Sequence, residues 1–271
     1  MDLLWKAAVQ GIVQGIAEFL PISSTAHLLF FGDLLHIGHA EFTKIFNVVI
    51  QLASILAVVI YFRKVLIPAE MVSNEAVRKR TFELWAKMIV GVVPILFVGA
   101  AAAKLGWVDA MHERPLIMAA ALFIGGILLL RVETWCSREN PVEDLSGLSY
   151  RTAFLIGLIQ CLAIIPGTSR SASTIIGALA LGLARPLAAE FSFLLAIPTM
   201  AAASAYSLLK HHVGMTSEEW TALAIGFLVT FLVSLFAVSW LMKFIKTHTF
   251  ELFGWYRMIL AVIVAGFLFL Q

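Results

Sequence analysis

Charge is what this 271-residue chain has least of: Asp, Glu, Lys and Arg together make up 13% of it. A soluble domain carries roughly a quarter, so a surface built to face water is excluded. Net charge is only +2. No basic tail or arginine-rich face is present, which removes nucleic acid as a partner. Cysteine is nearly absent, and Cys136 and Cys161 have neither metal-ligand spacing nor the density of a disulfide framework. Long polar stretches are missing too. The longest, about 63–81 and 135–150, are loop-sized and leave no room for an extramembrane domain. The first apolar run holds Gln10, Gln14 and Glu18 and reaches Pro21 without a small-x-small cleavage site, so it reads as mature structure rather than a signal peptide.

What is there is apolar: 61% hydrophobic residues and a mean hydropathy of +0.95. Runs long enough to cross a bilayer fall at about 43–62, 82–103, 115–133, 187–209, 221–243 and 252–270. Four pieces at about 3–20, 23–37, 150–165 and 170–183 are shorter, and each pair meets at a proline followed by hydroxyls. One junction reads Glu18-Phe-Leu-Pro21-Ile-Ser23-Ser24-Thr25-Ala-His27, the other Ile165-Pro166-Gly167-Thr168-Ser169-Arg170-Ser171-Ala-Ser173-Thr174. Such pairs predict re-entrant helix hairpins, because irregular backbone at membrane depth needs cover from protein or a wet cavity.

The halves also echo each other. Val13-Gln14 answers Ile159-Gln160, Pro21 answers Pro166, Ser24 answers Ser169, Phe46 answers Phe191 and Tyr61 answers Tyr206. The predicted fold is therefore an all-α polytopic membrane protein, one membrane domain over 1–271. Its inverted-topology halves run about 1–134 and 149–271, each a re-entrant hairpin plus three transmembrane helices. Three spans is an odd number, so the second copy is upside down, and the site of such a fold lies near the midplane between the repeats. Loop charges orient it. Arg63, Lys64, Arg78, Lys79 and Arg80, then Arg131, Arg138 and Arg151, then Lys243, Lys246 and Arg257 mark the cytoplasmic side. Both termini then lie outside.

A helix that begins just after a turn offers unpaired N–H groups and a partial positive charge to an anion. Ser23 or Ser24 opens one such helix, with Thr25 beside it; Ser169, Arg170 and Ser171 open the other, with Thr174 a turn further on. If the tips meet, phosphate or diphosphate is the natural guest, and Arg170 supplies a planar fork for its oxygens. The plainer reading of Arg170 is a helix-end arginine reaching for the interface. Its place before an apolar helix favours the site. Glu18 is a general base, a metal ligand, a salt-bridge partner of Arg170 or a buried neutral acid. Gln14, one turn earlier, shares its face, and the two offer oxygens to a divalent cation whose shell a phosphate completes. Ser24 and His27 stand three apart, the minimal activated-nucleophile pair, although Ser often merely caps a helix. Gln51, inside an apolar run, needs a partner in the site or on a neighbouring helix.

At both junctions the chain closely resembles the bacterial undecaprenyl pyrophosphate phosphatase family of the bacitracin-resistance type. The first signature stands here as Gln14 through His27 and the second, Pro-Gly-x-Ser-Arg-Ser-x-x-Thr, as Pro166 through Thr174; Ile50-Gln51-Leu52 and Glu190-Phe191-Ser192-Phe193 extend it. The resemblance implies an inner-membrane enzyme that removes the terminal phosphate of a C55 isoprenyl diphosphate. That reaction recycles the lipid carrier of peptidoglycan and other envelope polymers. It further implies dependence on a divalent cation (Mg²⁺ or Ca²⁺), competition with bacitracin for the lipid, and a homodimer. By position, Glu18, Ser24, His27 and Arg170 would be catalytic, with Glu18 and Gln14 toward the metal. Ser23, Thr25, Gln51, Ser169, Arg170, Ser171 and Thr174 would bind substrate. Gln14 stands where some members have Glu, and Ala26 and Ala172 where Gly is usual. Whether Ser24 attacks or Glu18 and His27 activate a water is open at this level. The rivals are an isoprenyl-phosphate flippase or secondary transporter, whose folds share inverted repeats, and a Ser–His intramembrane protease, in which Arg170 has no task.

Overall fold

The computed structural model describes residues 2–112, 114–136, 138–210 and 214–269. Helices α1 (Asp2–Ala17) and α2 (Ser24–Leu35) form a first pair, followed by α3 (Ala40–Tyr61), the single turn α4 (Arg63–Leu66), α5 (Glu75–Lys104), α6 (Trp107–His112) and α7 (Pro115–Trp135). A second pair, α8 (Tyr150–Gln160) and α9 (Arg170–Ala180), precedes α10 (Arg185–Lys210), α11 (Ser217–Phe244) and α12 (Glu251–Phe269). Among the described residues the β structure amounts to an isolated bridge between Val142 and Leu183.

The helices follow from the apolar runs, and their ends from local chemistry. Pro21 and Pro166 push the residues before them away from helical backbone, which stops α1 at Ala17 and tightens the end of α8 into a 3₁₀ turn over Cys161–Ile164. Asn74 caps α5 by accepting from the amides of Ala76 and Val77, and Thr216 with Glu219 closes a reciprocal capping box on α11. Among the described residues five helices, α3, α5, α7, α10 and α11, are long and apolar enough to cross a membrane. α12 covers the sixth predicted run, and the chain beyond Phe269 lies outside the described residues. Large apolar side chains point outward along them, among them Phe97, Phe236 and Trp255. In lipid such a surface costs nothing, and the chain is a multi-pass membrane protein.

Packing is set by seams of small residues that let backbones approach. α1 lies along α11, with Gly11 against the Gly226 carbonyl and Gly15 against Val233. The Thr230 hydroxyl donates to the Gly11 carbonyl at 3.1 Å, and Ser234 donates to Ser54 Oγ at 3.0 Å. α8 lies along α5 so closely that a Cβ on Gly157 would sit inside the Gly91 carbonyl. α12 lies along α7 across Gly126 and Gly254. The main core wraps the two loop junctions: Phe19, Phe191 and Phe193 are fully buried, and Phe19 meets Phe193 edge-on at 5.3 Å.

One predicted loop charge is misplaced. Arg257, counted with the cytoplasmic turn over 243–257, lies inside α12 and is completely buried. A short spacing between charges and the apolar run put it at the helix end; burial against the loop carbonyls overrides that pattern.

Candidate active site

The first loop runs from the end of α1 to Ser23, and the second from the 3₁₀ turn to Ser169. Each ends on a serine with left-handed backbone, φ 75° at Ser23 and 69° at Ser169. Each caps the following helix, Ser23 Oγ accepting from the Ala26 amide and Ser169 Oγ from the Ala172 amide. The structural partner of Ser169 is thus Ser23, one residue earlier than the sequence match to Ser24. Non-glycine residues in this region cost of order 1–3 kcal/mol each and persist where the surroundings over-determine them. Gly167 takes φ 88°, and a Cβ there would strike the Met118 backbone of α7.

The loops meet through side chains 152 positions apart. Arg170, first residue of α9, donates from Nη2 to Glu18 Oε1 at 2.9 Å, from Nη1 to the Ser192 carbonyl at 3.2 Å, and from Nη2 to Met200 Sδ at 3.1 Å. Its Nε is buried and has no partner among the described residues. A thioether is a weak acceptor, so this guanidinium is held but poorly satisfied. Glu18 is 6% exposed, and its Oε2 accepts from Gln14 Nε2 at 3.0 Å. Ser171 closes the junction by donating to the Leu20 carbonyl at 3.1 Å.

The predicted residues separate into three groups. Gln14, Glu18, Ser169, Arg170 and Ser171 converge where the loops touch. Thr174 is fully buried and shares a 2.6 Å hydrogen bond with Ser192 Oγ while donating back to the Arg170 carbonyl, so it braces the start of α9. Ser23, Ser24 and Thr25 open α2, with Ser24 and Thr25 half-buried; Gln51 is half-buried on α3. None of the hydroxyls of Ser24 and Thr25 nor the Gln51 amide makes a hydrogen bond among the described residues.

The expected Ser24–His27 pair does not form. His27 Nδ1 lies 2.8 Å from the Ser23 carbonyl and Nε2 lies 2.6 Å from the Tyr256 hydroxyl. A carbonyl only accepts, so Nδ1 carries the proton, and in the neutral ring Nε2 accepts from Tyr256. The two rings also stack, centroids 5.7 Å apart. Both ring nitrogens are spent on the capping carbonyl four residues back and on α12, which the spacing of Ser24 and His27 could not reveal.

Sequence reasoning missed four members of this region: Ser192, Met200, Tyr256 and Arg257. Arg257 donates to the carbonyls of Pro21, Gly167 and Thr168 at 3.0–3.2 Å and to those of Ala121 and Leu122 at 3.2 and 3.4 Å. A charge at the edge of an apolar run was its signal, masked by its neighbours in the 243–257 turn.

A divalent cation fits here only in part from the protein. Among the described residues no three His, Cys, Asp or Glu side chains cluster. Yet Gln14 Oε1 is buried without a partner among the described residues, on an amide whose Nε2 faces the Glu18 carboxylate. One carboxylate and one orphaned amide oxygen suit a hard cation that takes its remaining ligands from phosphate and water.

A family model described as bacitracin resistance protein BacA matches residues 7–263. An undecaprenyl-diphosphatase of Aquifex aeolicus is 42% identical over 97% of this chain and 98% of its own. That of Fusobacterium nucleatum is 45% identical over 96% and 99%, and one from Enterococcus faecalis is 43% identical over 96% and 95%.

Proposed function

Because the chain belongs to the bacitracin resistance protein BacA family, we propose that its two proline-broken loops make one site for the hydrolysis of undecaprenyl diphosphate to undecaprenyl phosphate and inorganic phosphate. The protein is a membrane phosphatase of an isoprenyl diphosphate, and the family supports this over the flippase reading. The observation that carries the location is the Arg170–Glu18 bond across the two loops, with Arg170 Nε left unpartnered beside it.

The site holds a stand-in for its substrate. Glu18 occupies the face of Arg170 that a terminal phosphate would take. Nε and one terminal nitrogen of a guanidinium form a parallel pair suited to two phosphate oxygens, so an arriving phosphate displaces Glu18 and frees its carboxylate. The Ser24 oxygen, unbonded at the start of α2, then attacks the terminal phosphorus while Glu18 takes its proton. The bond from that phosphorus to the bridging oxygen breaks, and the lipid monophosphate leaves with the electron pair. Water next attacks the phosphoserine; Glu18 returns its proton to the Ser24 oxygen, and the water's proton departs with inorganic phosphate. Arg170 and the first amides of α2 and α9 hold the charge that spreads over the transferred group, the main source of such catalysis. Bound by Glu18 and the free Gln14 oxygen, Mg²⁺ or Ca²⁺ would supply further neutralisation of the diphosphate. His27, tied to Tyr256, keeps the α2 entrance in place rather than activating Ser24.

Finer features of the fold belong to the same proposal. Exchange of the two halves carries the α1–α11 packing onto α8–α5 and α3–α11 onto α10–α5, and returns α3–α10 and α7–α12 to themselves. This supports an inverted repeat with two re-entrant hairpins. We add an inner-membrane location, a site open to the outer leaflet and a homodimer.

The test is phosphate release from C55 diphosphate with Mg²⁺ by purified wild type, Arg170→Ala and Glu18→Gln. Wild type should turn over and both variants should lose most activity while folded. Absence of phosphate release by wild type would hand the site to the flippase. A phosphoserine at position 24 caught by rapid quench supports the attack described, and near-normal turnover by Ser24→Ala sinks it.

A further inference from the structure

We infer that Arg257 is a positioning residue of the phosphate site, holding both loop tips in register and aiming the amide of Ser169 at the bound phosphate. The inference rests on the reading of the loops as one diphosphate site.

Arg257 is a fully buried cation with no carboxylate partner among the described residues. Left in an apolar helix, such a charge is very unfavourable. It is stabilised here by carbonyl oxygens from three separate segments: Pro21 of the first loop, Gly167 and Thr168 of the second, and Ala121 and Leu122 of α7. The planar fork suits this task and an ammonium does not, because several donors must diverge at fixed angles. No other side chain bonds to both loops and to a spanning helix among the described residues.

The bond to Thr168 has a consequence for the opposite end of its peptide group. In a trans peptide the C=O and the following N–H point in opposite directions. With the Thr168 oxygen drawn to Arg257, the Ser169 N–H turns away from it, and it has no acceptor among the described residues. Ser169 and Ser23 both sit in left-handed backbone, Ser169 directly after the Thr168 carbonyl and Ser23 two residues after the Pro21 carbonyl, both bound by Arg257. Strained residues of this kind hold only where neighbours over-determine them, and Arg257 bonds to carbonyls of both loops. Its Nη2 also binds the Gly167 carbonyl at 3.0 Å, next to the Arg170 helix start.

Gly125 offers a way to move this guanidinium without removing it. The three atoms nearest to a Cβ built there all belong to the Arg257 guanidinium, with Cζ at 2.9 Å and Nη2 closer still. Gly125→Ala therefore pushes the fork off its carbonyls while position 257 stays arginine.

The experiment uses purified full-length protein, with Arg257→Lys and Gly125→Ala beside wild type and Arg170→Ala. Folded protein is counted by thermal unfolding, and kcat and KM for C55 diphosphate and the inhibition constant of inorganic phosphate are measured per folded molecule. Displacing a reacting geometry by about 1 Å costs ~100-fold in rate, so kcat should fall by roughly that factor in both variants. KM should change far less, and inhibition by inorganic phosphate should weaken. A purely structural role lowers the folded fraction and leaves kcat per folded molecule intact; kcat within threefold of wild type in folded Gly125→Ala or Arg257→Lys overturns the inference. Should Arg170→Ala keep full turnover, the diphosphate site itself is wrong. If Arg170→Ala is dead while the other two are fully active, only the role of Arg257 falls.

Discussion

Replacing Arg170 by Lys separates charge from geometry at the point where the two loops meet. The wild-type guanidinium makes three contacts, to Glu18, the Ser192 carbonyl and Met200, and keeps Nε free. An ammonium can keep the charge beside Glu18 but cannot also reach Ser192 or present two parallel donors to phosphate. In the resting protein the loss is one hydrogen bond to a buried carbonyl, about 1–3 kcal/mol, so the variant should fold and melt a few degrees lower. The transition state loses more. Two charge-assisted bonds to the transferred phosphoryl group are worth about 1.5–3 kcal/mol each, which predicts a drop in kcat of roughly 10²–10⁴. Arg170→Ala is a poorer probe, because it strands the buried Glu18 carboxylate at a cost of about 3–5 kcal/mol. The assay is phosphate release from C55 diphosphate in detergent with Mg²⁺, corrected for folded protein. Turnover by Arg170→Lys within threefold of wild type would refute the bidentate clamp and the displacement of Glu18 with it.

Further outcomes can be checked with the same preparation. Ser171→Ala removes one of the two donors to the Leu20 carbonyl, which keeps the Ile22 amide, so it should cost about 0.5–1.5 kcal/mol of stability; an unchanged melting curve would count against the junction. Gln14→Ala deletes the orphaned amide oxygen, and the Mg²⁺ concentration for half-maximal activity should rise by about tenfold, in the range for lost metal partners; an unaltered Mg²⁺ titration removes Gln14 from the metal. Gly157→Ala forces a methyl into the Gly91 carbonyl and should destabilise by about 1–3 kcal/mol, as overpacking does, read as a lower midpoint of thermal unfolding. Tyr256→Phe leaves His27 Nε2 without its donor and should lower activity only modestly; loss as deep as that expected for Glu18→Gln would restore His27 to a direct catalytic role.

Much of this was legible in the chain itself. Hydropathy marked every long helix, since a run such as 115–133 has no other way to satisfy its backbone in lipid. Proline with hydroxyls marked both loops, and a lone Arg and Glu in apolar sequence pointed to each other, as Arg170 and Glu18 do at 2.9 Å. The register slipped by one, because local matching aligned Ser24 with Ser169 while backbone conformation pairs Ser23 with it. Long-range partners were out of reach. Nothing in the spacing of His27 and Tyr256, 229 residues apart, hints that the two rings stack. Arg257 was hidden differently: its pattern fits a loop charge, and only the carbonyls gathered around it give it an interior home.

The seam between α1 and α11 bears on how the protein is made. α1 carries Gln10 and Gln14 in sixteen residues, and the surface that receives its glycine face belongs to a helix whose Thr230 lies 219 residues downstream of Gly11. At ribosomal speeds of about 5–20 residues per second, roughly 10–40 s separate the two. During that interval α1 has α2 and α3 to pack on but its glycine face lacks α11, so it waits in the translocon or at the bilayer surface. α1 is made well before α11 and settles only after it, and slowing elongation before α11 should lengthen its exposure to membrane proteases.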